Sequence, residues 1–184
     1  MTRTILAAAA GAVLAAAFVS AQAPAPDPLE RALAAAPRNM RADAMVIKWK
    51  PDHTYETLRP GKNRLVCYDQ SGEPTEQPYS IQCTSVANLD RVAQNKKFEA
   101  EPDKAKRQAA IDAAEKDGSR IKPEYGSVFY TLAGADATAT RTHVTIAVPN
   151  ATMQALGLPD TNTQGGAWIM NAGTTSAHIM TPGS

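Results

Sequence analysis

The chain has two cysteines, Cys67 and Cys83, and both lie downstream of an N-terminal segment that addresses the chain for export. Arg3 precedes an apolar run over residues 5–19, built almost wholly from Ala, Leu, Val, Ile and Phe. This is the charged start and apolar middle of a signal peptide. The run is shorter than the roughly 20 residues that span a bilayer and ends in small residues, so no stable membrane anchor is expected after cleavage. Small-x-small cleavage sites end at Ala21 and Ala23. The second would place Pro24 beyond the scissile bond, where its ring removes the N–H and restricts the chain, so cleavage after Ala21 is preferred. No cysteine lies near the junction to carry a lipid.

Thiols exported in this way meet an oxidising compartment. Cys67 and Cys83 enclose the segment DQSGEPTEQPYSIQ, which is rich in turn residues. The pair is therefore expected to form a disulfide, and closing a loop of this size contributes roughly 3 kcal/mol on the chain-entropy estimate. A thiolate metal pair is excluded by spacing, since zinc sites bring two such ligands within about two to four residues. The two cysteines thus tie together whatever residues 64–68 and 83–85 become.

Removing residues 1–21 leaves 163 residues, enough for one domain with a core. Arg3 is the only charged residue removed, so 18 basic residues then face 18 acidic ones. A neutral chain carries no electrostatic footprint for nucleic acid or an anionic membrane surface. The expected divisions are a signal peptide over 1–21, a Pro- and Ala-rich arm with a short helix over 22–43, and a single domain over 44–184.

Within the arm, Asp27 and Pro28 can open a helix over residues 29–36, which Pro37 stops. Residues 44–49 (AMVIKW) and 64–68 (RLVCY) read as strands, with residues 58–61 (LRPG) as a turn. Thr84 or Ser85 caps a helix with Val86, Leu89, Val92 and Ala93 at helical spacing. From residue 96 to 124 the chain is densely charged. Asp103 opens and Gly118 closes a helix there, with Asp103 and Arg107, and Asp112 and Lys116, spaced for i,i+4 pairing. Its alternating charges and Ala-rich stripe describe a solvated helical excursion.

Residues 127–132 (SVFYTL) and 143–148 (HVTIAV) alternate as strands, joined by a Gly-, Ala- and Thr-rich connection over 133–142 that reads as a mobile loop. A short helix follows through Leu156, with Gly157 as its stop. Two apolar runs, 167–170 and 177–180, flank a turn segment and read as a hairpin. Its simplest register sets Met170 near Ala177. The order of strands, helices and further strands describes an α+β fold, a single domain with an antiparallel sheet, a charged helical excursion and one disulfide.

Leu58-Arg59-Pro60-Gly61 before Asn63 and Cys67, the later Cys83, His143-Val144-Thr145-Ile146 with Pro149, and the closing GGAWIMNAGTTSAHIMTP together resemble a family of small exported bacterial proteins of unknown function. The resemblance covers most of the mature chain and implies export and a single domain. It carries no mechanism. Members often have a proline and an aromatic residue after the hairpin's Gly-Thr, where this chain has Thr175 and Ser176 after Gly173 and Thr174.

Function is then read from the hairpin. Trp168, His178 and, from a neighbouring strand, His143 are the candidate ligand-binding residues, with a site expected where Trp168, His178 and the 133–142 loop meet. Such a site makes the chain a non-catalytic binding or structural component of the bacterial cell envelope, periplasmic or secreted. Its partner is a small ligand or an envelope component. Catalytic residues and a required cofactor are not indicated.

Two alternatives remain. Met170, His178 and Met180 supply thioether and imidazole ligands suited to Cu(I), with the Trp168 indole beside them, against the plainer reading that Met and Trp fill the core. A hydrolase with His-based acid/base chemistry would need His143 and His178 to converge, since His53 lies solvated beside Asp52. The chain has no G-x-S-x-G elbow, H-E-x-x-H helix or glycine-rich phosphate loop.

Overall fold

The computed structural model describes residues 27–182. The signal peptide expected over 1–21 and the start of the arm lie outside the described residues. Among the described residues no helix is long and apolar enough to cross a membrane.

Eight strands form one sheet: β1 (Met45–Trp49), β2 (Tyr55–Arg59), β3 (Leu65–Asp69), β4 (Tyr79–Ser85), β5 (Val128–Gly134), β6 (Thr140–Ala147), β7 (Trp168–Met170) and β8 (His178–Met180). Their order across the sheet is β2-β1-β3-β4-β5-β6-β8-β7. Every pairing is antiparallel except β1 with β3. The parallel pair arises because the chain leaves β2 on one side of β1 and returns as β3 on the other. The crossing runs beneath the start of β1, where the Lys62 and Asn63 amides donate to the Asp43 carbonyl. Gly61 makes that passage, since a Cβ there would stand 2.5 Å from the Met45 nitrogen.

Two strands differ from the sequence reading. The expected turn at 58–61 begins as the end of β2, whose side chains are mostly exposed and so show no apolar alternation. β4 occupies the second half of the Cys-enclosed segment, as its partners β3 and β5 cover both of its edges. Cys67 and Cys83 are direct partners across β3 and β4 and form the disulfide, with Cα atoms 4.1 Å apart. The connection at 133–142 is also shorter than expected, because β5 and β6 pair out to Gly134 and Thr140. The Asp136 carboxylate holds the remaining turn, accepting from the Thr138 amide and hydroxyl and the Ala139 amide.

One face of the sheet is covered by α1 (Pro28–Ala32), α2 (Arg38–Arg41) and the short α5 (Met153–Leu156). Asp27 caps α1 as expected, but the helix ends at Ala32, and Leu33 and Ala36 turn inward against Val46, Leu65 and the disulfide. Residues 28–41 are therefore a layer of the domain and not an arm apart from it. Further along, Val148, Ile169 and Ala177 bury under the α5 segment.

The other face is covered by α3 (Leu89–Glu99), entered through a short 3₁₀ turn that Ser85 caps. Leu89 and Val92 pack on Ile47, Val66 and Tyr68. The charged excursion is α4 (Lys104–Asp117), capped by Asp103 and closed by Gly118 in the left-handed region at φ 81°. Asp103 spends its carboxylate on the cap, and Arg107 reaches the Glu101 carbonyl. Ala114 is its buried residue, and Glu115 ties the helix to the domain by accepting from the Thr175 amide and hydroxyl.

Candidate functional site

Residues directly opposite in an antiparallel ladder share a face, so the register assembles the site. Tyr68, Gln82, Thr131 and His143 form one row across β3 to β6. The Tyr68 hydroxyl donates to Gln82 Oε1 at 2.5 Å, and Gln82 Nε2 donates to Thr131 Oγ1 at 3.1 Å. A second row runs Phe129, Thr145, Met180 and Trp168. The third is Ala147, His178 and Met170. All three lie on the α3 side of the sheet.

Where α3 stands off from these rows, a cleft of about 390 Å³ remains. Its strand floor carries Gln82, Thr131, Thr145, His143 and His178, and α3 supplies Arg91, Asn95 and Glu99 to its wall. Those three recur every four residues, so they form one stripe beside the buried Leu89 and Val92. Arg120, from the segment after α4, completes the wall.

His143 and His178 line the same cleft, at different places along it. His178 pairs with Ala147, four residues from His143 on β6, which sets them about 13 Å apart along the strand direction. The histidines therefore do not converge on one reacting atom. His178 Nδ1 lies 2.8 Å from the Ser176 carbonyl, which only accepts, so Nδ1 is the donor and, in the neutral ring, Nε2 is the nitrogen with a lone pair for a ligand.

The remaining candidates separate. Met170 stands directly opposite His178 across β7 and β8, one residue beyond the expected register, and is exposed, whereas Met180 is buried. Trp168 lies opposite Met180 on the same face, at the outer edge of the sheet and beyond the cleft lining. The β5–β6 turn projects from the far end of β6, so Trp168, His178 and that turn do not meet. Among the described residues no group of three or more His, Cys, Asp or Glu side chains is placed to hold a metal ion.

The charged wall was not singled out in the sequence. Arg91 and Arg120 are only 5% and 6% exposed. Arg91 donates to the Ile121 carbonyl, to Thr175 Oγ1 at 2.9 Å and to Ser176 Oγ at 2.6 Å. Arg120 donates to Gln94 Oε1 at 2.8 Å and Asn95 Oδ1 at 2.6 Å, and among the described residues its Nε has no hydrogen-bond partner. Burial, with Arg120 beside it, lowers the Arg91 guanidinium to about 10, although Glu115 pulls the other way. Burial lowers Arg120 as well, opposed by Glu115 and Glu99. For Glu99, burial and then the nearby Glu76 raise the carboxyl above its ordinary value. Lys96 does not meet Glu99 in an ion pair, since it pairs with Glu73 beneath the rings of Trp49 and Tyr68. The available signal was polar residues recurring at the spacing of a buried helical stripe.

Compared with known proteins, the chain matches no family model, no curated protein and no solved structure.

Proposed function

We propose that this chain is an exported, non-catalytic binding component of the bacterial cell envelope, and that the cleft between α3 and strands β4, β5, β6 and β8 holds its small ligand. The carrying observation is the cleft itself, of a size that small-molecule sites occupy, with uncharged donors and acceptors on a rigid strand floor. Export is supported by the N-terminal apolar run, by the disulfide and by the resemblance to small exported bacterial proteins. Acid/base hydrolysis has weaker support, because the two cleft histidines stand about 13 Å apart along the sheet. A small-molecule screen of ¹⁵N-labelled mature protein by NMR tests the binding reading. Ligand-dependent shifts clustered at Thr131, His143, Thr145 and His178 are expected, and a screen that moves none of them overturns it.

One observation favours a soft-metal alternative. The ladder sets Met170 opposite His178 with Met180 on the same face, and the Nδ1 contact leaves Nε2 of the neutral ring to bind a metal. Thioether and imidazole are ligand types that suit Cu(I), and the Nδ1 hydrogen bond that orients His178 is of the kind metal-binding histidines make. Native mass spectrometry with Cu(I) under anaerobic conditions tests it. A stoichiometric adduct lost on His178→Ala supports copper handling, and no adduct removes that reading.

A further inference from the structure

The cleft is electrically two-ended. Arg91 and Glu99 are eight residues apart on α3, two positions on the same stripe separated by about 12 Å of helix axis. Arg91 at the first end, and Arg120 midway along the helix against Gln94, Asn95 and the Phe98 ring, are nearly fully buried, and each donates to neutral carbonyl, hydroxyl and amide oxygens. Neither forms an ion pair with a carboxylate among the described residues. At the second end, the half-buried Glu99 carboxylate has no ion pair and no hydrogen bond among the described residues. Buried charges without a contacting counter-ion are costly, and a ligand carrying the missing charges relieves both ends at once. Between them Gln82, Thr131 and Thr145 present neutral hydrogen-bonding groups, suited to amides.

We propose that the cleft takes a short zwitterionic peptide of three or four residues, its terminal carboxylate at Arg91 and its terminal ammonium at Glu99. An extended chain of that length spans about 10–14 Å, which matches the separation of the two ends. The inference rests on the binding reading above and adds the charge, length and direction of the ligand.

Calorimetric titration of the mature oxidised protein with tetraalanine, its C-terminal amide and its N-acetyl form tests the proposal. The free peptide is expected to bind at least tenfold more tightly than either blocked form. Glu99→Gln, which leaves the arginine end intact, should abolish the discrimination between free and acetylated peptide while keeping that against the amide. Arg91→Gln should do the reverse. Equal binding of all three peptides, or no binding of tetraalanine, overturns the zwitterion proposal. In the second case, a neutral molecule that shifts the cleft resonances leaves the binding reading standing, whereas the absence of any cleft ligand removes both.

Discussion

The Arg91 Nη2 donates to Ser176 Oγ at 2.6 Å, and through that bond the first turn of α3 holds the turn that closes the last hairpin. A second link runs beside it: Arg91 Nη1 donates to Thr175 Oγ1, and that hydroxyl lies 2.5 Å from Glu115 Oε1 on α4. One threonine therefore stands between a buried guanidinium and a carboxylate that do not touch. Thr175→Val keeps the shape and removes the bridge, leaving Arg91 short of an acceptor. A loss of about 1–3 kcal/mol is expected in urea denaturation, and an unchanged midpoint would show that the bridge contributes nothing.

Cys67 and Cys83 sit opposite each other in a ladder that is itself central, with β1 beyond β3 and β5 beyond β4. The chain-entropy estimate of roughly 3 kcal/mol applies to the unfolded state, whichever strand contacts survive. Reduction, or the double Cys→Ala variant, should lower the melting temperature by roughly 6–12 °C for a chain of this size. A negligible shift would mean that β3 and β4 are equally restrained without the bond.

Much of the fold was legible where side chains obey one period. β1, β3, β5, β6 and the closing hairpin alternate visibly, and the Asp103 and Gly118 caps bracket α4. The missed strands have physical reasons. β2 is an exposed edge strand, with Tyr55 42% and Leu58 39% exposed, so no buried face marks it. β4 is buried on both faces, and Ser80, Gln82 and Thr84 supply hydrogen bonds instead of apolar alternation. The site was half visible. His143 and His178 do line one cleft, but the register that separates them depends on a pairing between β6 and β8, remote in sequence. Arg120 fell in the densely charged 96–124 stretch and Arg91 drew no reading, because nothing local announces that neighbouring segments bury them.

Gly61 gives a direct test of the crossover that makes β1 and β3 parallel. A methyl group there would lie 2.5 Å from the Met45 nitrogen and 3.0 Å from its Cα, both main-chain atoms that cannot rotate aside. Gly61→Ala must displace either the start of β1 or the passing chain. The expected cost is about 1–3 kcal/mol by chemical denaturation, with the largest amide shifts at residues 43–46 and 61–66. Wild-type stability would show that the passage has slack.

Glu99 couples stability to pH in a direction fixed by its surroundings. Burial, then Glu76 and Glu73, favour its neutral form, outweighing the pull of Lys96 and Arg107, so its folded pKa lies above the unfolded value of 4.5. A group raised in this way contributes most below the unfolded value, and its contribution is lost as pH rises through the folded one. Glu99→Gln cannot ionise and escapes that loss. The variant should match the wild type below pH 4.5, gain on it as pH rises past that value, and melt at a higher temperature than the wild type at neutral pH. The reverse order at neutral pH would show that the Glu99 carboxylate is anchored by a cation in the free protein, and that the acidic end of the cleft is already satisfied.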